Sequence, residues 1–203
     1  FAEWLMVKYS QYLISDSIGI QSYFQNKYSI DSKYIPYGAT LVNKCNEDDL
    51  QQFSLEAYNY NLIISRMEPE NNIEIILQGF VNSKSDKKMV VIGSTENKYG
   101  QYIKSKFSDE RIVYLGYVSG IDKLNVLRNY SHLYFHGHSV GGTNPSLLEA
   151  MSSNSLICAH NNKFNKAILG MDAFYFNCTK CITSMVNRIE ITERKKFVSN
   201  NLE

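Results

Sequence analysis

Five short apolar runs constrain this chain more than any other feature. They fall at residues 59–65, 88–92, 111–115, 132–136 and 155–159, each rich in β-branched or aromatic side chains and too short for a helix. Helical segments fit between them, near 71–82, 97–107, 120–129 and 145–152. Strands that lack polar alternation are expected where both faces of a sheet are covered, and parallel strands need a crossover between them. The rhythm therefore predicts an α/β fold, a doubly wound parallel sheet with helices on both faces. Ligands of such sheets bind outside the carboxyl ends of the strands. The loops expected there carry the chemistry: Arg66 to Asn72, Gly93-Ser94, Gly116-Tyr117-Val118 and His136 to Ser146.

Upstream, residues 10–15 read as a strand, and Asp16-Ser17 as the cap of a helix reaching about Lys27. Residues 33–36 form a short extended piece before the turn Pro36-Tyr37-Gly38, and 39–58 read as a polar linker with a short helix. The tail, 178–203, reads as helix that becomes polar. Charged residues are 20% of the 203 and the net charge is +1, which gives no field to gather nucleic acid or an acidic membrane surface. No apolar run approaches the ~18 residues of a membrane span. There is no signal peptide, and the chain opens on Phe1 rather than Met, so a piece of a longer protein is expected. Cys45, Cys158, Cys178 and Cys181 lack the density of a disulfide framework and suit a reducing cytoplasm.

The most informative loop runs from His136 to Met151. A buried strand enters it, Gly141-Gly142 let backbone come close to a ligand, and Asn144-Pro145 fit the cap and first position of a helix. A helix N-terminus after a glycine turn is an anion cradle. Glu149, one turn further in, does not bind phosphate but can accept two hydrogen bonds from a ribose cis-diol. A nucleotide or nucleotide-sugar site follows.

Other residues weigh less. Arg66 ends a strand and can neutralise a diphosphate; on that segment alone, a surface arginine paired with Glu68 or Glu70 is the simpler reading. His136 and His138 alternate on one face of an extended strand, but no third ligand completes a metal set, and lining the pocket is the better reading. Cys178-Thr179-Lys180-Cys181 is a lone C-x-x-C at the start of a peripheral helix, read as two incidental thiols. His160-Asn161-Asn162 follows the 155–159 strand and is placed at the same cleft or in an ordinary polar loop. No G-x-G-x-x-G follows the first strand, against a dinucleotide dehydrogenase.

Taken together these segments resemble the family-4, group 1 glycosyltransferases of GT-B fold. Ile35-Pro36-Tyr37-Gly38-Ala39 is similar to their I-P-N-G-V entry to the C-terminal domain. Ser65-Arg66-Met67-Glu68-Pro69-Glu70-Asn71-Asn72 is similar to their G-R-L-x-x-x-K-G loop, and Gly141 to Glu149 overlays their E-x7-E region. Val91-Ile92-Gly93 and Tyr114-Leu115-Gly116-Tyr117-Val118 resemble the intervening strand ends. The wording His-Ser-Val-Gly-Gly-Thr-Asn-Pro-Ser-Leu-Leu-Glu looks most like a bacterial rhamnosyltransferase-like branch.

The resemblance implies the Rossmann-like C-terminal half of a GT-B enzyme, with 1–38 as the end of the acceptor domain and hinge and 39–203 as the nucleotide-sugar-binding domain, its last helix truncated. Arg66 and Asn71 would meet the diphosphate. Gly141, Gly142, Thr143, Asn144 and Ser146 would meet sugar and phosphates, Glu149 the ribose, and Tyr117-Val118 the base, with His138 and Gly93 lining the pocket. Arg66 and Glu149 would be catalytic. The implied reaction is retaining, metal-independent transfer from a nucleoside-diphosphate sugar to a saccharide or lipid-linked acceptor held by the missing domain. It would serve bacterial polysaccharide or glycoconjugate synthesis, in the cytoplasm or at the inner face of the membrane, with peripheral contact at most. The isolated piece is expected to be inactive. Two departures stand out: Gly141 replaces the first motif glutamate and Asn71 the loop lysine. They keep open a non-catalytic nucleotide-sugar-binding subunit; an epimerase of the same architecture is the third reading.

Overall fold

A computed structural model describes residues 2–42, 44–140 and 142–199. Gly141, where a carboxylate is missing from the motif, lies outside the described residues.

The chain begins with α1 (Ala2–Tyr9), β1 (Ile14–Ser15), α2 (Ile18–Tyr28) and β2 (Lys33–Tyr34). β1 and β2 pair in parallel, and the Ser15 and Ser32 hydroxyls meet at 2.5 Å. The expected strand at 10–15 shrinks to two residues, because β2 is its only strand partner among the described residues. Ser17 caps α2 by accepting from Ile20 N at 3.2 Å, as its residue type predicts.

The rest builds one six-stranded parallel sheet. Its strands are β3 (Tyr60–Ile64), β4 (Lys88–Ile92), β5 (Ile112–Gly116), β6 (Tyr134–His136), β7 (Ile157–His160) and β8 (Phe174–Phe176). The crossovers carry α3 (Ile73–Val81), α4 (Lys98–Lys106), α5 (Ile121–Asn129), α6 (Pro145–Ser152) and α7 (Lys163–Leu169); α8 (Thr179–Arg188) and α9 (Arg194–Val198) follow. The order across the sheet is β5-β4-β3-β6-β7-β8. The order therefore reverses direction between β3 and β6, which pair through Leu62 with Tyr134 and Ile63 with Phe135. The crevice beyond such a reversal is where α/β sheets hold ligands.

Both faces are buried, as the unbroken apolar strands predict. On one, Ile63, Met89, Val91 and Phe135 pack on α3 and α8; on the other, Tyr60, Leu62, Val90 and Tyr134 pack on α5, α6 and a 3-10 turn at Glu47–Phe53. α3 and α8 approach closely enough that a Cβ on Gly79 would lie 2.4 Å from the Cβ of Ile182. Within β3, Asn61 is a polar residue that is 0% exposed, and neither of its amide atoms has a partner among the described residues. The tail expected as helix is α8 plus the short α9. No helix among the described residues is long and apolar enough to cross a membrane.

Candidate donor-binding cleft

β3 ends in Ser65-Arg66-Met67. Met67 turns into the core, and Arg66 is left exposed at the rim. Among the described residues its guanidinium pairs with neither Glu68 nor Glu70, nor with any other side chain, so the simple surface-pair reading does not hold. The loop behind it is tied down by hydrogen bonds. Asn71 is 7% exposed; its Nδ2 donates to Arg66 O at 2.8 Å, and its Oδ1 meets His138 Nδ1 at 2.9 Å. Because a carbonyl only accepts, the amide orientation is fixed, and His138 Nδ1 is the donor. Asn72 donates to Gly137 O at 2.7 Å. Asn71 is thus a strut between the β3 and β6 loops, with both ends of its amide occupied by protein.

The β6 loop passes so close to this strut that a Cβ on Gly137 would lie 1.9 Å from Asn71 O. Burial first, and then the Arg66 charge, hold the half-buried His138 imidazole below its ordinary pKa. Asn162 and Asn165 both donate to His138 O, at 2.9 and 3.1 Å, so the cap and first turn of α7 brace the loop. His136 is buried, and burial followed by the neighbouring His138 pushes its pKa down to about 3. Its ring lies 6.2 Å from that of His138. No group of three metal-ligating side chains occurs among the described residues.

The turn into α6 has an unexpected neighbour. Asp16 stands against it: a Cβ on Gly142 would lie 2.6 Å from Asp16 Oδ1, and Thr143 Oγ1 donates to Asp16 O at 3.1 Å. Ser17 alone suffices as the cap of α2, which frees Asp16 for this contact. Asn144 caps α6 by accepting from Ser146 N at 2.9 Å, Pro145 occupies the first position, and Leu147 N bonds Asn144 O at 3.0 Å. The first helical amides are therefore already satisfied. The amides that no described residue accepts belong to the turn itself, Gly142, Thr143 and Asn144. The Ser146 hydroxyl meets Tyr134 OH at 2.9 Å.

α6 divides two cavities. One, of about 160 Å³, is lined by Ser65, Arg66, His136, His138, Asn144 and Ser146 among others. The other, of about 490 Å³, lies along the Pro145, Glu149 and Ser152 face of the helix, is bounded by residues 38–42 and by α5, and includes Lys44, Asp122 and Asn125. Glu149 Oε2 accepts from Arg128 Nη2, and Oε1 has no partner among the described residues. Arg128 is 1% exposed and Glu149 37%. The carboxylate is thus both counter-ion to a buried cation and part of a cavity wall.

The remaining sequence candidates stand further out. Tyr117 is 81% exposed and Val118 packs on the core; the cavity wall after β5 comes from Ile121 and Asp122 instead. Gly93, at φ +148°, lets β4 pass Ser65 O, 2.1 Å from where its Cβ would be. Cys178 caps α8 through Cys181 N at 3.3 Å, with the two sulfurs 2.7 Å apart.

The Anabaena protein Alr3699/HepE, solved with UDP and glucose, superposes with a TM-score of 0.81 at 18% identity over 98% of this chain and 59% of its own. Sucrose-phosphate synthase from Thermosynechococcus elongatus gives 0.81 at 13% identity, over 98% of this chain and 54% of its own. The C-terminal domain of a group 1 glycosyl transferase from Francisella tularensis gives 0.63 at 15%, over 79% and 90%. The chain thus spans little more than half the length of the first two. At these identities the likeness establishes the fold, the C-terminal domain of a GT-B glycosyltransferase. No curated protein matches in sequence. The family model "Glycosyl transferases group 1" matches residues 46–196, well over half of the chain and every residue of the cleft except Asp16, residues 38–42 and Lys44. The chain belongs to the group 1 glycosyltransferases.

Proposed function

We propose that this chain is the donor-binding part of a family-4-type retaining glycosyltransferase, which moves a sugar from a nucleoside diphosphate to a saccharide or lipid-linked acceptor. The observation that carries the reading is that, among the described residues, Arg66, the 142–144 amides and one Glu149 oxygen have no partner, and that Arg66 and Glu149 each line a cavity beside α6. A diphosphate lying across the start of α6 would meet the Arg66 cation and the unbonded N–H groups of the turn. Its ribose then reaches Glu149 Oε1, and its base the wall formed by Ile121, Asp122 and the loop through Tyr117-Val118. The same groups stabilise charge on the departing diphosphate, which is the main demand of the transfer step, and they do so without a metal. Asn71 acts here by holding Arg66 and His138 in place rather than by touching phosphate.

Residues 1–38 belong, in this reading, to an acceptor-binding half. Their exposed Trp4, Met6, Tyr9, Tyr12 and Ile14 are consistent with a surface that the rest of that half covers. The complex of Alr3699/HepE with UDP-glucose supports a nucleotide-sugar donor. Among donor sugars we favour a deoxyhexose such as rhamnose, because Gly141 supplies no carboxylate for a further hydroxyl. The enzyme would act in polysaccharide synthesis in the cytoplasm, at most peripherally on the membrane.

The test is transfer by the complete polypeptide from UDP-, dTDP- and GDP-hexoses, with the product anomer read by NMR. Transfer with retention supports the reading. Binding without turnover on any donor favours a nucleotide-sugar-binding subunit, the reading that the loss of charge at Asn71 and Gly141 keeps alive.

A further inference from the structure

Two side chains that line the small cavity carry a buried polar atom with no partner among the described residues. His136 ends β6 and is 4% exposed, yet its Nε2 has no such partner. Ser65 directly follows the neighbouring β3, and its Oγ is likewise buried and unpartnered. Both line the same cavity. Native interiors hold few such groups, because each forfeits the hydrogen bonds it had in water. In the same cavity wall the Asn71 amide, the His138 Nδ1 and the Ser146 hydroxyl all have partners.

The two groups lie together by topology. Ile63 pairs with Phe135 across the β3–β6 seam, so His136 is one residue and Ser65 two residues beyond the last paired positions. Ile64 and Phe135 give the floor apolar flanks. Burial and the adjacent His138 keep the His136 imidazole neutral at physiological pH. A neutral imidazole and a hydroxyl donate to or accept from alcohols; neither neutralises a phosphate. The cation is elsewhere, at the exposed rim, in Arg66. The cavity thus has a charged mouth and a neutral, hydrogen-bonding floor. Its 160 Å³ equals about five waters, room for one small ring. The matching ligand is a neutral polyol attached to an anion.

We propose that His136 and Ser65 form the subsite that reads the hydroxyls of the donor's neutral sugar, supplying contacts that Gly141 has no side chain to make. This rests on the donor-site reading above. It makes both residues specificity determinants for the sugar, and it excludes sugars with a carboxylate at the buried end, which would meet no cation there.

The test is calorimetric titration of the 203-residue chain with three pairs: UDP and UDP-glucose, dTDP and dTDP-rhamnose, GDP and GDP-mannose. For the pair that binds, His136→Leu is expected to weaken the sugar nucleotide about tenfold and Ser65→Ala about threefold, while the bare diphosphate changes less than twofold. The melting temperature of His136→Leu without ligand should not fall, since an orphaned polar atom is removed. Ser65→Ala, a minimal truncation, keeps the test open if His136→Leu folds poorly. Sugar nucleotide and diphosphate weakening in parallel, or an unchanged ratio between them in both variants, overturns this inference alone. Parent chain that binds no diphosphate overturns the donor-site reading and this inference with it.

Discussion

Replacing Glu149 by alanine leaves the Arg128 guanidinium without its counter-ion. Arg128 is 1% exposed, and its Nε already lacks a partner, so it has no alternative acceptor beyond a long contact to Asn125 Oδ1 at 3.5 Å. Breaking a buried pair from one side costs about 3–5 kcal/mol. Glu149 is 37% exposed, and water entering from its side places the cost near the lower end, about 3 kcal/mol. For a chain of this length each kcal/mol moves the melting temperature by roughly 2–4 °C, so the expected fall is about 6–12 °C. Glu149→Gln keeps an oxygen for Arg128 and should lose only about 1–2 kcal/mol. Arg128→Met with Glu149→Leu removes both charges and should recover most of the loss. Urea unfolding followed by circular dichroism measures all three. A loss below about 1 kcal/mol in Glu149→Ala, or a double variant no more stable than the single, refutes the pairing argument. The consequence for function is practical: Glu149→Gln, not the alanine variant, isolates the proposed ribose contact from the fold.

Gly137→Ala places a methyl group 1.9 Å from Asn71 O; it should separate the β3 and β6 loops and weaken nucleotide binding at least tenfold, with about 2–3 kcal/mol lost in urea unfolding. Asn61→Leu replaces two orphaned amide atoms with hydrocarbon and should gain about 1–2 kcal/mol in the same assay. All four histidines, His132, His136, His138 and His160, are held below their ordinary pKa, with burial the first cause at each. The unfolded chain therefore binds more protons below the unperturbed histidine pKa. Stability should be full above pH ~6.5 and fall as the pH drops, with His136 alone contributing a slope near 1.4 kcal/mol per unit down to its folded value of about 3. Urea midpoints from pH 7.5 to 5 check this, and His136→Leu should flatten the slope.

The strands were legible where tertiary context left no choice. β3 to β7 lie close to the expected runs because both sheet faces are buried and their sequences show no polar alternation. β8, Phe174-Tyr175-Phe176, escaped because three residues carry no periodicity, and α7, of seven residues, is likewise too short to announce itself. In the cleft, the loops singled out by residue type lie together at the strand ends, and several of their side chains bond protein groups that residue type does not announce. Asn71 is a strut because its amide reaches two loops that are 67 residues apart in sequence. Ser146 N is taken by the cap that identified the helix, so the free amides precede it. Asp16 looked like a cap until Ser17 proved sufficient. Arg128 left a signal: it follows Leu124 and Leu127 at helical spacing on the inward face of α5, where a cation needs a buried partner such as Glu149.

Titration of the 203-residue chain with UDP, dTDP and GDP, repeated with Arg66→Ala, tests the donor-site claim most directly. At least one diphosphate should bind, with an affinity that falls as salt rises and drops at least tenfold in Arg66→Ala, since that exposed guanidinium, unpaired among the described residues, is the cation proposed to meet the diphosphate. Binding that is indifferent to Arg66, or no binding of any of the three, would contradict it.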